Sequence, residues 1–177
     1  MSEHRLGRVA GLDLTATPLA IAGSILLWVL LSGIAIAVLH MPVGEAIVGG
    51  LIAVVLHWVS DIVHHLGHAR AARRTGYPMS GIRLGALGLL GTSVYPPHEP
   101  ALPATIHIRR AWGGPVGSLL ISLVAAVAAL IVRNVSNMLW WVGVFFFLDN
   151  LIVFALGAFL PLGFTDGSTL LHWWGKR

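Results

Sequence analysis

Four histidines and one aspartate lie within one short, otherwise apolar stretch of the chain. They are His57, Asp61, His64, His65 and His68. On an α-helix of 3.6 residues per turn, these side chains project within an arc of roughly 100°. Ionisable side chains are costly in an apolar helix and usually face a functional interior. The pattern therefore predicts a helix that presents an imidazole-rich face to a buried site, where metal or cofactor binding explains the cluster better than polar packing does.

The first chemistry that this spacing indicates is metal binding. His64 and His68 are four residues apart, which places two imidazoles on one side of a helix. Cysteine is absent, so thiolate ligands are excluded. A catalytic zinc site takes three protein ligands and keeps one position open. Asp166 is the best third candidate, because Pro161 breaks the preceding helix; Asp149 competes with it. On spacing alone, Asp166 is more simply an Asp-Gly turn at the membrane surface.

The elements that must position these residues are membrane helices. Of the 177 residues, 56% are hydrophobic and 10% are charged, whereas a soluble domain carries about 25% charged residues. We therefore expect an all-α integral membrane protein forming a single domain over 1–177. Four apolar stretches approach the ~20 residues that a bilayer requires. They run roughly over 19–39, 46–68, 112–132 and 138–160.

Basic residues accumulate on one side of these spans. Ten of the eleven Lys and Arg residues precede the first span, follow the fourth, or lie in the loop 69–111; only Arg133 lies elsewhere. The positive-inside rule predicts that this loop and both termini are cytoplasmic, in a cell (inner) membrane. Arginines beside spans meet anionic lipid head groups, so no nucleic-acid partner is expected.

The loop between the second and third spans contains a Gly-rich segment. Residues 80–91 read SGIRLGALGLLG, which is apolar but too rich in glycine for a regular helix. We expect a short hairpin or a re-entrant segment, which membrane depth tolerates only when it packs on protein. Residues 104–110 are predicted to form a short strand or an interfacial segment.

Three motifs together resemble the site-2 protease family of intramembrane zinc proteases. Residues 64–69 read HHLGHA and resemble the family motif H-E-x-G-H-A. Residues 114–118 read GPVGS and resemble its Gly-Pro segment, and 161–167 read PLGFTDG and resemble its closing P-x-x-x-x-D-G motif. The motifs occur in family order across most of residues 47–172.

This resemblance implies a ligand set and a substrate class. By it, His64, His68 and Asp166 bind Zn²⁺ near the cytoplasmic face. Residues 80–91 match the region where family members present a sheet edge to an unwound substrate. The expected substrate or partner is then a single-span membrane protein in the lipid bilayer.

The departures from the family pattern fall on residues that act on substrate. His65 stands where the family has its catalytic Glu, and Ala158 and Ser118 stand where it usually has Asn. The resemblance therefore implies a retained metal site with altered or lost proteolysis. Asp61 lies one helical turn before His65, where a carboxylate can orient an imidazole base. His65 and Asp61 are thus the candidate catalytic pair.

Two further hypotheses remain open from the sequence. The chain fits a non-catalytic subunit or assembly factor of a larger membrane complex, since the catalytic Glu is replaced. It also fits a tetrapyrrole-binding protein, because a membrane histidine can ligate haem iron. His40, His57 and His107 are the candidates for that role. The paired His64 and His68 favour zinc over haem.

Overall fold

Four long apolar helices dominate the computed structural model, which describes residues 3–176. All four are long and apolar enough to cross a membrane, which implies a lipid bilayer environment. They are α1 (Pro18–Ala37), α2 (Val43–Arg74), α3 (Ala104–Val132) and α4 (Asn137–Leu148), the last continuing as a π-helix (Asp149–Leu156) and a 3₁₀ turn (Gly157–Phe159). A short helix, α5 (Asp166–Trp174), follows. The prediction of a mainly helical membrane protein with four spans is confirmed.

Two helix ends differ from the expected span boundaries. Helix α2 continues to Arg74, and basic residues in its last turn suit the negative end of the helix dipole. Helix α3 begins at Ala104, directly after Pro103, so residues 104–110 are helical rather than a strand. The loop expected over 69–111 therefore spans only residues 75–103.

A small four-stranded sheet adds to the predicted all-α fold. Its strands are β1 (His4–Val9), β2 (Leu12–Ala16), β3 (Gly81–Leu84) and β4 (Thr92–Val94), in that spatial order. Strand β3 lies within the Gly-rich segment 80–91 and pairs with β4 directly after it, so the hairpin extends beyond the segment in which a hairpin or a re-entrant segment was expected. The local β1–β2 hairpin was not predicted, and neither was the parallel pairing of β2 with β3, which is distant in sequence.

The sheet packs on the end of α2 that carries the histidines. One buried cluster joins the two elements and contains Leu12, Ala69, Ala72, Met79, Ile82 and Leu84. Arg73 adds a hydrogen bond from its guanidinium to the Ala10 carbonyl in the β1–β2 turn. The sheet is therefore held beside the imidazole-rich face of α2.

Helices α2 and α3 approach each other closely at a pair of glycines. A Cβ atom on Gly67 would overlap the backbone of Gly113, and one on Gly113 would overlap the backbone of Gly67. Small residues permit such contacts between helices in lipid. This crossing brings the first half of α3 against the histidines of α2.

Candidate metal centre

Three predicted ligands from two distant stretches of chain meet in the structure. The Nε2 atoms of His64 and His68 lie 3.0 Å apart. Asp166 Oδ2 lies 3.3 Å from His64 Nε2, and Asp166 Oδ1 lies 3.4 Å from His68 Nε2. One ligand atom from each residue falls within 4.8 Å of the other two. Asp166 therefore lies against the imidazoles rather than in an isolated surface turn.

Helix packing explains how Asp166 reaches the histidines. Asp166 is the first residue of α5, and α5 packs on α3 through a buried cluster of Ile108, Ala111 and Leu170. Gly167 lies so close to Phe159 that a Cβ atom would overlap the Phe159 carbonyl. The segment after the 3₁₀ turn thus folds back tightly and presents the carboxylate to α2.

Both imidazoles are hydrogen-bonded through their other ring nitrogen. His64 Nδ1 lies 3.1 Å from Ser118 Oγ, and His68 Nδ1 lies 2.8 Å from the Arg110 carbonyl oxygen. A carbonyl only accepts, so the shorter contact, with Arg110, requires hydrogen on His68 Nδ1, and the Gly114 N–H at 3.2 Å then does not donate to that atom. The lone pair of His68 is then on Nε2. Histidines that bind metal usually donate their other N–H in this way.

The space beside the two Nε2 atoms depends on a glycine. A Cβ atom on Gly114 would overlap His68 Nε2 and His64 Nε2. The donors that border this space are two imidazole nitrogens and a carboxylate, a set typical of zinc sites with an open position. The residues present therefore fit a zinc ion.

The Asp166 carboxylate is mostly buried, with 13% of its side chain exposed. Burial by itself raises the pKa of Asp166, but the contacts with the neighbouring His64 and His68 imidazoles lower that pKa to about 2. Asp166 is therefore ionised at neutral pH and supplies a negative charge between two imidazoles.

His65 and Asp61 are neighbours, but each has another polar partner. His65 Nδ1 lies 3.0 Å from Ser93 Oγ in β4. Asp61 Oδ1 accepts a hydrogen bond of 3.0 Å from Gly91 N. His65 Nε2 and Asp61 Oδ1 are 3.6 Å apart, which is longer than a hydrogen bond. The Asp61 carboxylate thus binds the Gly-rich segment more closely than it binds His65.

The competing carboxylate, Asp149, lies outside the ligand group. Its Oδ1 atom is 3.2 Å from His57 Nδ1, and His57 Nε2 is 2.7 Å from the Leu89 carbonyl oxygen. Both nitrogens of His57 are therefore engaged.

The other histidines considered for a tetrapyrrole are His107 and His40. His107 stacks on Trp173 with ring centroids 4.3 Å apart, and His40 is exposed in the turn after α1.

The sequence analysis did not identify three residues that pack near the metal centre, namely Arg110, Glu99 and Tyr95. Arg110, assigned there only to membrane topology, is buried and binds both oxygens of Glu99 at 2.9 and 2.5 Å. Its guanidinium also lies 4.3 Å from the centroid of the Tyr95 ring. The hydrogen bond with Arg110 lowers the pKa of Glu99, and burial raises the pKa of Tyr95 to about 12. The sequence held no clear signal for this pair, because Glu99 lies in the loop and Arg110 lies in α3, and their spacing does not show that they meet.

A cavity of about 790 Å³ opens beside the ligand group. Its walls include the histidines, residues 90–93 around β4, the loop residues Tyr95 and Glu99, the π-helix and the start of α5. Ligand pockets typically have volumes of about 300–1,000 Å³. The cavity is therefore large enough to take a ligand beside His64, His68 and Asp166.

Comparisons with known proteins bear on the fold. No family model matches the chain, and no curated protein matches it. Among solved structures, the chain is similar to the Site-2 Protease from Methanocaldococcus jannaschii, with a TM-score of 0.62 and 19% sequence identity over 96% of this chain and 70% of that chain. The chain has a site-2-protease-like fold. Together with the four apolar helices, this similarity identifies an integral membrane protein.

Proposed function

We propose that this chain is a site-2-protease-like intramembrane zinc protein whose ligands are His64, His68 and Asp166. The observation that carries this proposal is the convergence of their ligand atoms within 4.8 Å, from α2 and α5. The hydrogen bonds at both Nδ1 atoms support it, because they leave Nε2 to bind metal. Zinc bound there would supply a Lewis acid that polarises a carbonyl and lowers the pKa of water.

The residues around this centre favour binding over peptide hydrolysis. A general base has to lie within hydrogen-bond reach of the proton that it takes. His65 Nδ1 is held by a neutral hydroxyl, Ser93 Oγ, at 3.0 Å, and Asp61 Oδ1, at 3.6 Å from Nε2, is too far to hydrogen-bond the ring and stabilise its cation. Protonated His65 would also be a cation beside a dication, which Coulomb repulsion disfavours. Ala158 borders the cavity and has no polar group to hold a reacting carbonyl. We therefore propose that the unmodified chain does not cleave peptide bonds.

A non-catalytic centre of this kind acts by holding a partner. In the described part of the chain β4 pairs with β3 alone, so one edge of β4 keeps unpaired backbone groups. An extended segment can add to such an edge through main-chain hydrogen bonds. Thr92 and Ser93 of β4 line the cavity. We propose that an unwound segment of a single-span membrane protein, or of a partner subunit in a membrane complex, binds there.

The proposed orientation follows the distribution of basic residues. The Arg73–Ala10 hydrogen bond ties the N-terminal hairpin to the end of α2, so the N-terminal segment lies on the same side as the loop 75–103. We propose that this side, with both termini, is cytoplasmic and that the host membrane is a cell (inner) membrane.

Metal analysis paired with a cleavage assay tests this function. Protein extracted gently in detergent should carry about one zinc per chain, and His64→Ala should remove it. The unmodified protein and the His65→Ala control should not cleave a single-span substrate. The double variant His65→Glu with Ala158→Asn restores both family residues and is the gain-of-function arm. Zinc-free protein would refute the metal site, and cleavage by the unmodified chain would refute the binding role.

A further inference from the structure

A second polar cluster lies in the spans, outside the proposed zinc site. It contains His57 and Asp61 of α2 and Asp149 at the start of the π-helix, and all three side chains are at most 6% exposed. Polar groups of this kind are expensive in a bilayer and are retained when they have a partner and a role. His57 and Asp61 bind backbone atoms of the Gly-rich segment, and Asp149 binds His57.

Two hydrogen bonds from α2 hold this segment on either side of Leu90. His57 Nε2 binds the Leu89 carbonyl oxygen at 2.7 Å, and Asp61 Oδ1 binds Gly91 N at 3.0 Å. Residues 85–91 lack regular backbone pairing apart from the turn bonds Leu87 N to Leu90 O and Gly88 N to Gly85 O. Irregular backbone at membrane depth needs such partners, because lipid offers none.

Asp149 fixes the hydrogen on the imidazole that this arrangement requires. The Leu89 carbonyl only accepts, so His57 Nε2 has to carry hydrogen. A neutral imidazole alone can place its hydrogen on either nitrogen. Asp149 Oδ1 lies 3.2 Å from Nδ1, so the pair holds a second proton between these two atoms, and whichever atom carries it, Nε2–H stays directed at Leu89. The π-helix is a wider turn of the kind often found at functional sites, and it begins at this carboxylate.

We propose that Asp149, His57 and Asp61 are positioning residues that clamp residues 89–91 on α2 and so hold β4 at the wall of the cavity. The strand begins at Thr92, directly after Gly91, so release of the clamp would move its edge. The clamp stands on its own hydrogen bonds, whereas its effect on partner binding rests on the proposed function.

Site-specific thiol labelling tests the clamp directly, because the chain contains no cysteine. Leu90→Cys reports on the clamped segment, and Ala129→Cys, at a position 3% exposed in α3, reports on global loosening. Each reporter is combined with Asp149→Leu, which removes the polar partner of His57, or with Asp149→Asn, which keeps one. Labelling rates with a charged maleimide are measured in detergent, and zinc content is measured on the same samples.

Asp149→Leu should raise the labelling rate at the Leu90→Cys reporter about tenfold, as expected for loss of a buried hydrogen bond. Asp149→Asn should stay within about twofold of the parent, and the Ala129→Cys reporter should not change. An unchanged rate at the Leu90→Cys reporter, or an equal rise at both reporters, would overturn the proposal. Asp61→Leu and Asp61→Asn form a second pair with the same expectations through Gly91, should Asp149→Leu not fold.

Zinc content separates the two proposals. Zinc retained with faster labelling supports both the clamp and the metal site. Zinc absent from every sample, with the same labelling pattern, removes the proposed function and leaves the clamp intact. Zinc retained with unchanged labelling removes the clamp alone.

Discussion

Two buried clusters on the same face of α2 combine imidazole with carboxylate, yet their geometry differs. At the proposed metal centre, His64 and His68 use Nδ1 for outer hydrogen bonds and turn Nε2 towards each other and Asp166. At the deeper cluster, His57 has both nitrogens engaged, one with Asp149 and one with Leu89. The first arrangement leaves lone pairs for an ion, and the second leaves none. The partners of each nitrogen, more than residue type or spacing, distinguish the proposed metal site from the proposed clamp.

The largest expected effect comes from filling the space between the two ligand imidazoles. Gly114→Ala places a Cβ atom against both Nε2 atoms, so we expect zinc affinity to fall by about a hundredfold or more. The matched control is Gly117→Ala, whose Cβ atom would meet its nearest neighbours at 3.4 Å. Competition with a zinc chelator measures both variants. Equal zinc affinity in Gly114→Ala and the parent would contradict the assignment of the space.

A smaller effect is expected when an outer hydrogen bond of the metal site is removed. Ser118→Ala takes away the partner of His64 Nδ1, and such losses reduce metal affinity by about 10–100-fold. Ser122→Ala is the control, because within residues 3–176 Ser122 Oγ bonds only the Leu119 carbonyl of its own helix. The same chelator titration applies. If the two serine variants lose affinity equally, Ser118 does not orient His64.

The smallest effect concerns the ion pair that supports the metal site from the loop. The pKa of Glu99 lies below its ordinary value of 4.5 because Arg110 donates hydrogen bonds to it. A depressed pKa contributes stability above pH 4.5 that is lost as the pH falls through the folded value. Glu99→Gln should therefore lower the melting temperature slightly at pH 7 and converge with the parent in acid. A difference that grows as the pH falls would contradict this sign.

The sequence was sufficient to predict the imidazole-rich face of α2 and the two histidines of the proposed metal site. The spacing of His64 and His68 requires only that the stretch be helical, and the long apolar run makes it so. Asp166 was placed by its resemblance to a closing family motif, and spacing alone favoured a surface turn. Its position depends on how α5 packs against α3, which is a tertiary contact.

The remaining features depend on partners distant in sequence. Asp149 was considered a competing metal ligand and His57 a candidate haem ligand, because nothing near either residue in the sequence indicates that the two pair. The parallel pairing of β2 with β3 was missed because the two strands are about 70 residues apart in the sequence. Arg110 was counted as a topology signal, whereas its side chain binds Glu99 and its carbonyl binds His68. In each case the deciding contact joins elements that only the folded chain brings together.

X-ray absorption at the zinc edge, on the purified protein and on His64→Ala and His57→Ala, tests the central claim most directly. The account predicts two imidazole nitrogens and a carboxylate oxygen at about 2.0–2.2 Å from zinc. His64→Ala should destroy this shell, and His57→Ala should leave it unchanged. Zinc without imidazole neighbours, or a shell lost equally in both variants, would contradict the account.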